Sequence, residues 1–87
     1  MSAATAGTVT VRFFARYAEL VGREETALSL PLPATVEDVV RRVRDGLPGG
    51  HELPERPLAA VNLRHVKLQA SVHDGDEVAL LPPVAGG

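Results

Sequence analysis

One stretch of this chain, residues 35–47, has the pattern of a long amphipathic helix, whereas the segments around it do not. Thr35 is a good N-cap residue, with Asp38 at the spacing of a capping box, and Gly46 is a C-terminal stop signal. The apolar residues share one helical face, and they are Val36, Val39, Val40, Val43 and Leu47. A domain with one long helix must use it to cover the apolar face of its other elements.

The segments before this helix have the pattern of strands. Residues 8–14, "TVTVRFF", alternate in the period of two that is typical of a half-buried strand. Residues 15–22 predict a short helix with a glycine stop, whose inner face would carry alanines and a valine. A second strand follows at 25–30, and Pro31 and Pro33 are expected to end it because proline lacks an amide donor.

The segments after the helix predict a loop and three more strands. Residues 48–57 are rich in proline and glycine and predict a surface loop. "LAAVN" (58–62) and "VKL" (66–68) are expected to pair as short strands. Gly75 predicts a turn with positive φ, and residues 77–81 form the last strand.

Together these elements predict an α+β domain, in which a mixed, mostly antiparallel sheet packs on one main helix. The outline is that of a β-grasp roll, although the periodicity is also compatible with a split βαβ arrangement. The predicted boundaries are a disordered N-terminal arm at 1–7, the β-grasp domain at 8–81 and an extended tail at 82–87.

Composition excludes several kinds of site and partner. A net charge of -2 and a pI near 5.8 do not favour binding to nucleic acid or to an anionic membrane. The chain has no cysteine and three scattered histidines, so we expect no thiol nucleophile and no metal site.

Asp74 and Asp76 flank a glycine and predict a turn rather than an acid-base pair. No targeting or membrane-spanning pattern is present, so cytoplasmic residence is expected.

The chain ends on "LPPVAGG", and two interpretations of this end are open. A glycine pair is either the frayed end of a domain or a slender tip whose terminal carboxylate is the reactive group. Two prolines would give the second interpretation a stiff exit from the sheet, because they fix φ and stop the strand. The predicted tail consists of Pro82 and Pro83 as the exit, Val84 and Ala85 as a spacer, and Gly86 and Gly87 as the tip.

Strand parity predicts an exposed apolar patch near this tail. If Phe13 faces the core, Phe14 faces away from it, and Leu81 does the same at the end of the last strand. We expect both side chains to dock a partner, with His65 nearby on the turn before the fourth strand. The alternative is that the short helix covers Phe14 and that both side chains belong to the core.

Three stretches give the chain a family resemblance. "FFARYAELVG" (13–22), "AAVN" (59–62) and "DGDEVALLPPVAGG" (74–87) resemble, in order and spacing, the MoaD/ThiS family of ubiquitin-like sulfur carriers, in its molybdopterin branch. Ala85 stands where relatives often have serine or threonine, a change that should not prevent chemistry at the tail. The resemblance implies the β-grasp fold and a functional C-terminal glycine.

The resemblance also implies a function and partners. An ATP-dependent activating enzyme would adenylate Gly87 and convert it to a thiocarboxylate. The large subunit of molybdopterin synthase, in a heterotetramer of two small and two large subunits, would then use the sulfur on cyclic pyranopterin monophosphate. The chain itself would be a non-catalytic sulfur donor, inactive alone and without a stably bound cofactor, and it has no phosphate-binding loop for ATP.

Three alternatives remain open from the sequence. The chain could carry sulfur for thiamine or another pathway, or it could be a ubiquitin-like modifier that forms isopeptide bonds with lysines. It could also be an interaction domain whose tail is inert.

Overall fold

The computed structural model describes residues 5–83, which form seven strands and two helices. In chain order they are β1 (Thr5–Phe13), α1 (Arg16–Val21), β2 (Glu25–Leu32), β3 (Ala34–Thr35), α2 (Val36–Gly46), β4 (Leu58–Val61), β5 (Arg64–Val66), β6 (Ser71–Val72) and β7 (Glu77–Leu81). A short 3-10 helix, Gly50–Glu52, lies between α2 and β4. No helix in this described part is long and apolar enough to cross a membrane.

Five strands form one mixed sheet in the order β2-β1-β7-β4-β5. The first and last strands, β1 and β7, are parallel neighbours at its centre, and the other pairs are antiparallel. Helix α2 packs on one face, while β3 and β6 form a separate two-stranded sheet at its start. This confirms the predicted α+β class and the ubiquitin-like β-grasp arrangement, in place of the split βαβ alternative.

Helix α2 begins as the sequence predicts. The Asp38 N–H donates to the Thr35 hydroxyl at 3.3 Å and the Thr35 N–H donates to the Asp38 carboxylate at 2.9 Å, which completes the capping box. The hydrogen bond from the Thr35 backbone lowers the pKa of Asp38. Gly46 is the last residue of the helix rather than a stop beyond it. Leu47, which was predicted in the apolar stripe, caps the helix and is half-buried.

The core lies between α2 and the inner face of the sheet. The valines of α2 contact inward-facing residues of the two central strands, which are Val9, Val11, Phe13, Val78 and Leu80. Each of these five is 3% exposed or less, and burial of one such side chain contributes about 1.5–3 kcal/mol. The same parity that buries Phe13 and Leu80 turns the next residue of each strand outward.

Strand β1 begins at Thr5, inside the segment that was predicted to be a disordered arm. The predicted arm is therefore wrong for residues 5–7, because Thr5 pairs with Leu32 and the second strand continues past Pro31. The Phe13 N–H donates to the Glu24 carbonyl at 2.9 Å, and hydrogen-bonded pairs alternate with non-bonded pairs along the two strands from there. Pro31 falls in a non-bonded pair, opposite Ala6, so its backbone nitrogen faces away from β1. Because β2 is an edge strand, its proline interrupts no ladder bond.

Helix α1 is shorter than predicted, and its inner face includes Val21 and Ala18, as predicted, but Tyr17 in place of Ala15. It spans Arg16–Val21 and ends at Gly22, whose φ of 74° and N–H donated to the Ala18 carbonyl (2.9 Å) confirm the glycine stop. Its buried residues are Tyr17 and Val21, whereas Ala15, predicted on the inner face, is exposed. An aromatic ring on a two-turn helix reaches the core more easily than the short alanine side chain.

The segment 48–57 is more ordered than a surface loop. Gly50 and Leu53 are buried in it, and the Arg44 side chain donates from Nε to the Leu53 carbonyl at 2.8 Å. The fourth predicted strand, expected at 66–68, is β5 and lies at 64–66, because Asn62 and Leu63 adopt positive φ and make a tight hairpin turn after β4.

Two turns are joined at the end of the sheet opposite the C-terminal tail. Asp76 accepts from the Asn62 side-chain amide at 3.0 Å and from the His73 N–H at 2.8 Å, and the Asn62 side-chain oxygen accepts from the Glu77 N–H at 2.9 Å. Asp74 accepts from the Thr8 N–H at 2.8 Å. Both carboxylates therefore stabilise turns, as predicted, and Gly75 has the expected positive φ of 88°.

The Asp76 contacts predict how stability depends on pH. Burial acts to raise the pKa of Asp76, but the hydrogen bonds from Asn62 and His73 outweigh it and lower the pKa. A carboxylate with a depressed folded pKa stabilises the domain above its unfolded pKa of 3.8, and this contribution is lost as the pH falls through the folded value. We expect Asp76→Asn to lower the urea midpoint at neutral pH and to reduce its decline on acidification to about pH 3.

Asp45→Asn is the matched control, since Asp45 is exposed on α2. It should leave both the midpoint at neutral pH and its acid dependence close to those of the wild type. An Asp76→Asn variant with the same acid dependence as the wild type would contradict the assignment.

Candidate functional site

The outer face of the sheet, away from α2, carries an exposed apolar group at the end where the chain leaves β7. Phe14 is 39% exposed and Leu58 is 50% exposed, and Leu81 is half-buried. Leu58 and Leu81 are direct partners across β4 and β7. Phe13 pairs with Leu80, so the following residues, Phe14 and Leu81, come to the same end of the sheet. We call Phe14, Leu58 and Leu81 the tail-end patch.

The conformation of the chain after β1 sets the position of Phe14. Ala15 has a φ of 52°, in the left-handed region that a residue with a Cβ seldom adopts. The Tyr17 N–H donates to the Phe14 carbonyl at 3.0 Å and closes a turn into α1. Tyr17 enters the core while Phe14 stays at the surface. The short helix therefore does not cover Phe14, and the alternative that Phe14 belongs to the core is wrong.

Arg12 borders the tail-end patch on the outer face. Its guanidinium carbon lies 5.6 Å from the centroid of the Phe14 ring, within the range of a cation-π contact. The same side chain is 3.4 Å from the Glu77 carboxylate and 3.9 Å from that of Glu25. These contacts hold the charge of Arg12 beside the aromatic ring and pair it with two acids.

His65 lies on the same face but not on the predicted turn. It is in β5, exposed, and pairs with Ala60, which in turn pairs with Ala79 of β7. The two alanines keep the middle of the face flat between His65 and the two leucines of the tail-end patch. The structure thus brings Phe14, Leu81 and His65 to one surface.

Leu58 is the residue of this surface that the sequence prediction missed. The sequence assigned "LAAVN" to a strand but did not fix its register against the last strand. The pairing of Leu58 with Leu81 places both side chains on the outer face. Once the pairing of β4 with β7 is known, the alternation of side chains along β4 predicts that Leu58 faces outward.

The tail leaves the sheet beside this surface. Strand β7 ends at Leu81, as predicted, and Pro82 and Pro83 are not part of the sheet. Pro82 is half-buried and Pro83 is exposed. The predicted spacer and tip, residues 84–87, lie outside the described part of the chain. Within residues 5–83, no group of three or more histidine, aspartate or glutamate side chains could hold a metal ion.

Comparison with known proteins identifies relatives along nearly the whole chain. The ThiS family model matches residues 11–87. The molybdopterin synthase sulfur carrier subunit of Escherichia coli (strain K12) is 37% identical over 86 residues, covering 91% of this chain and 99% of the relative. That of Chlamydomonas reinhardtii is 31% identical over 81 residues, covering 91% and 98%. The small archaeal modifier protein 3 of Haloferax volcanii is 35% identical over 88 residues, covering 88% and 96%.

Solved structures agree with this assignment. The crystal structure of SAMP1 from Haloferax volcanii has a TM-score of 0.78 at 28% identity and covers 93% of this chain and 100% of that one. A chain in the complex of subunits 1 and 2 of the molybdopterin-converting factor from Helicobacter pylori 26695 has a TM-score of 0.66 at 26% identity, covering 92% and 99%. With a family model matched from β1 to the terminal glycine, the chain belongs to the ThiS family of ubiquitin-like proteins, with molybdopterin synthase sulfur carrier subunits among its relatives.

Proposed function

We propose that this chain is the sulfur-carrier subunit of a molybdopterin synthase and that it carries sulfur as a thiocarboxylate on Gly87. The observation that supports this most is the match to the ThiS family up to Gly87, together with full-length relatives named as molybdopterin synthase sulfur carrier subunits. In this proposal the sulfur goes to cyclic pyranopterin monophosphate, for synthesis of the molybdenum cofactor, and the protein acts in the cytoplasm.

The proposed chemistry begins with activation of the terminal carboxylate. A C-terminal carboxyl has a reference pKa of about 3.3–3.7, so it is an anion at neutral pH and a poor electrophile. Attack of this carboxylate on the α-phosphorus of ATP forms an acyl adenylate and releases pyrophosphate. Sulfide attacks the acyl carbon and expels AMP, which leaves the thiocarboxylate. A persulfide donor would instead form an acyl disulfide, and a thiol would then cleave its S–S bond to release the thiocarboxylate and a new disulfide. The activating enzyme supplies the ATP site, and this chain supplies the carboxylate.

The large subunit is the proposed acceptor of the tail. In this proposal the large subunit supplies the groups that perform acid-base catalysis. The tail-end patch lies where the tail leaves the sheet, so a partner that encloses the tail would also cover Phe14, Leu58 and Leu81. The Helicobacter pylori complex of subunits 1 and 2 gives a precedent for such a partner. We propose a heterotetramer with two copies of each subunit.

The relative named small archaeal modifier protein 3 supports a second candidate function. Tail activation would be the same, but a lysine amine would attack the adenylated or thioesterified carbonyl in place of sulfide. The products differ, since sulfur transfer returns a free carrier, whereas lysine attack leaves a conjugate of higher mass.

Intact mass spectrometry tests the proposed carrier function. The chain is incubated with ATP, a sulfur source and the activating enzyme of the same organism, and ATP is omitted from the control. We expect a mass increase that corresponds to exchange of one oxygen for sulfur at Gly87. Addition of the large subunit and the pterin precursor should then return the mass to its starting value and yield molybdopterin. Conjugates on lysine without any thiocarboxylate would favour the modifier, and an unchanged mass would contradict both functions.

The proposed docking of the large subunit predicts the effect of Phe14→Asp. A charge placed in the apolar centre of an interface is expected to weaken binding by about 10–100-fold. The unfolding midpoint should change little, because Phe14 is 39% exposed. Leu63→Asp is the matched control, since Leu63 is 89% exposed at the opposite end of the sheet. Titration calorimetry with the large subunit measures both, and equal affinities of the two variants would contradict docking at this patch.

A further inference from the structure

A groove borders the tail-end patch at the corner formed by β4 and β5. It has a volume of about 360 Å³ and is lined by residues 56–58 and 66–69. Leu58 is one of its walls, and Arg56 and Lys67 line it as exposed side chains. The tail-end patch therefore continues into a groove that carries two cations. We call Arg56 and Lys67 the basic corner.

The charge of the basic corner is not balanced within the described part of the chain. Neither side chain lies within 4.0 Å of a carboxylate there, whereas the neighbouring Glu55 is directed to Arg44 at 3.8 Å. The acids Glu25 and Glu77 on the outer face are both held by Arg12. Since the whole protein has a net charge of -2, the basic corner is a local feature and not a consequence of a basic surface.

The position of the basic corner suggests what it contacts. Leu58 lies opposite Leu81, the last residue of β7. Arg56 precedes Leu58 by two residues, and Lys67 directly follows Val66, the partner of Ala59, so both cations lie on the β4–β5 side of the point where the tail leaves the sheet. An apolar centre with a charged rim is the usual anatomy of a protein interface. A partner that covers Leu58 and Leu81 must bring its own surface against Arg56 and Lys67. Burial of two unpaired cations would oppose binding unless that surface supplies carboxylates.

We propose that the basic corner receives an acidic segment of the large subunit, with aspartate or glutamate side chains opposite Arg56 and Lys67. This inference rests on the proposed function and adds the charge of the partner surface to it. Such a pair of complementary charges at an interface rim accelerates association more than it slows dissociation. Its contribution falls with ionic strength because exposed charges are screened over about 10 Å at 0.1 M salt.

Charge reversal tests the proposal. The double variant Arg56→Glu/Lys67→Glu is compared with Arg42→Glu/Arg64→Glu, which makes the same change of net charge at exposed sites away from the tail. A neutral double variant, Arg56→Gln/Lys67→Gln, separates loss of attraction from repulsion. Association rates and Kd for the large subunit of the same organism are measured by surface plasmon resonance at about 0.05 M and about 0.5 M NaCl. Urea unfolding shows whether each variant is folded.

At low salt we expect the reversed corner to bind about tenfold more weakly, mainly through slower association, and the neutral corner to be intermediate. At high salt the difference from the wild type should largely disappear, and the control pair should stay within about twofold of the wild type. Equal effects of the two reversed pairs, or no effect of the corner pair at low salt, would overturn the inference.

The same assay distinguishes failure of this inference from failure of the proposed function. A wild-type chain that does not bind the large subunit at all would overturn both. If the wild-type chain binds the large subunit strongly and Phe14→Asp weakens this binding, but charge reversal of the basic corner does not, only the inference about the basic corner is overturned. Competition with inorganic phosphate is a further measurement. If phosphate displaces the large subunit while NaCl does not change the affinity for that subunit, the basic corner is a phosphate site and the inference of an acidic segment is overturned.

Discussion

Deletion of Gly87 is expected to abolish sulfur transfer while leaving the domain folded and able to bind the large subunit. The variant would still end in a glycine carboxylate, but this group would lie one residue, or about 3.3–3.6 Å, short of both reacting centres. Positioning of a reacting group contributes so much to rate that a displacement of about 1 Å can cost about 100-fold. A shift of a whole residue should therefore reduce transfer below detection.

The structure makes this prediction separable from an effect on stability. Strand β7 ends at Leu81, and Pro82 and Pro83 contribute no ladder pair, so loss of the last residue should leave the sheet intact. Three measurements are needed: thiocarboxylate formation by intact mass, the urea midpoint, and affinity for the large subunit. Ala85→Ser is the matched control, which alters the spacer without changing its length and should retain transfer. Full sulfur transfer by the deletion variant would contradict the proposed role of Gly87.

Much of the fold follows from local patterns in the sequence. The valine stripe and the capping box of Thr35 predict α2, and the alternation at Val9, Val11 and Phe13 predicts the buried face of β1. The outward direction of Phe14 and Leu81 follows from the same alternation, since a strand has two faces and the helix covers one. These features could be predicted because each depends on the spacing of residues within one element.

The features that the sequence did not predict depend on contacts between distant segments. Leu53 is 2% exposed although it lies in a segment rich in proline and glycine, because the backbone of the loop folds against α2. Strand β1 extends to Thr5 because Thr5 pairs with Leu32 in the neighbouring strand β2. Leu58 joins the tail-end patch through its pairing with Leu81. In each case the residue's own neighbours in sequence do not determine its environment.

Gly50→Ala is expected to remove a large part of the stability of the domain. Gly50 is buried, and a Cβ at this position would overlap the carbonyl oxygen of Val43 and approach its carbonyl carbon to 3.0 Å. The obstacle is helix backbone, which cannot move aside as a flexible side chain can. The Gly50 N–H also donates to the Leu47 carbonyl at 2.8 Å, and its own carbonyl accepts from the Leu53 N–H at 3.0 Å. Relief of the overlap would therefore displace the loop and the buried Leu53.

We expect a loss of about 3–5 kcal/mol in the free energy of unfolding, by analogy with other overpacked and core-disrupting changes. A domain has about 5–15 kcal/mol in total, so the variant should be largely unfolded in moderate urea and poor at thiocarboxylate formation. Gly46→Ala is the matched control, because a Cβ there meets no atom within 4 Å. Since alanine favours a helix, Gly46→Ala should equal or slightly exceed the wild type in stability. A Gly50→Ala variant whose urea midpoint matches that of Gly46→Ala would show that the loop does not pack on α2 in this way.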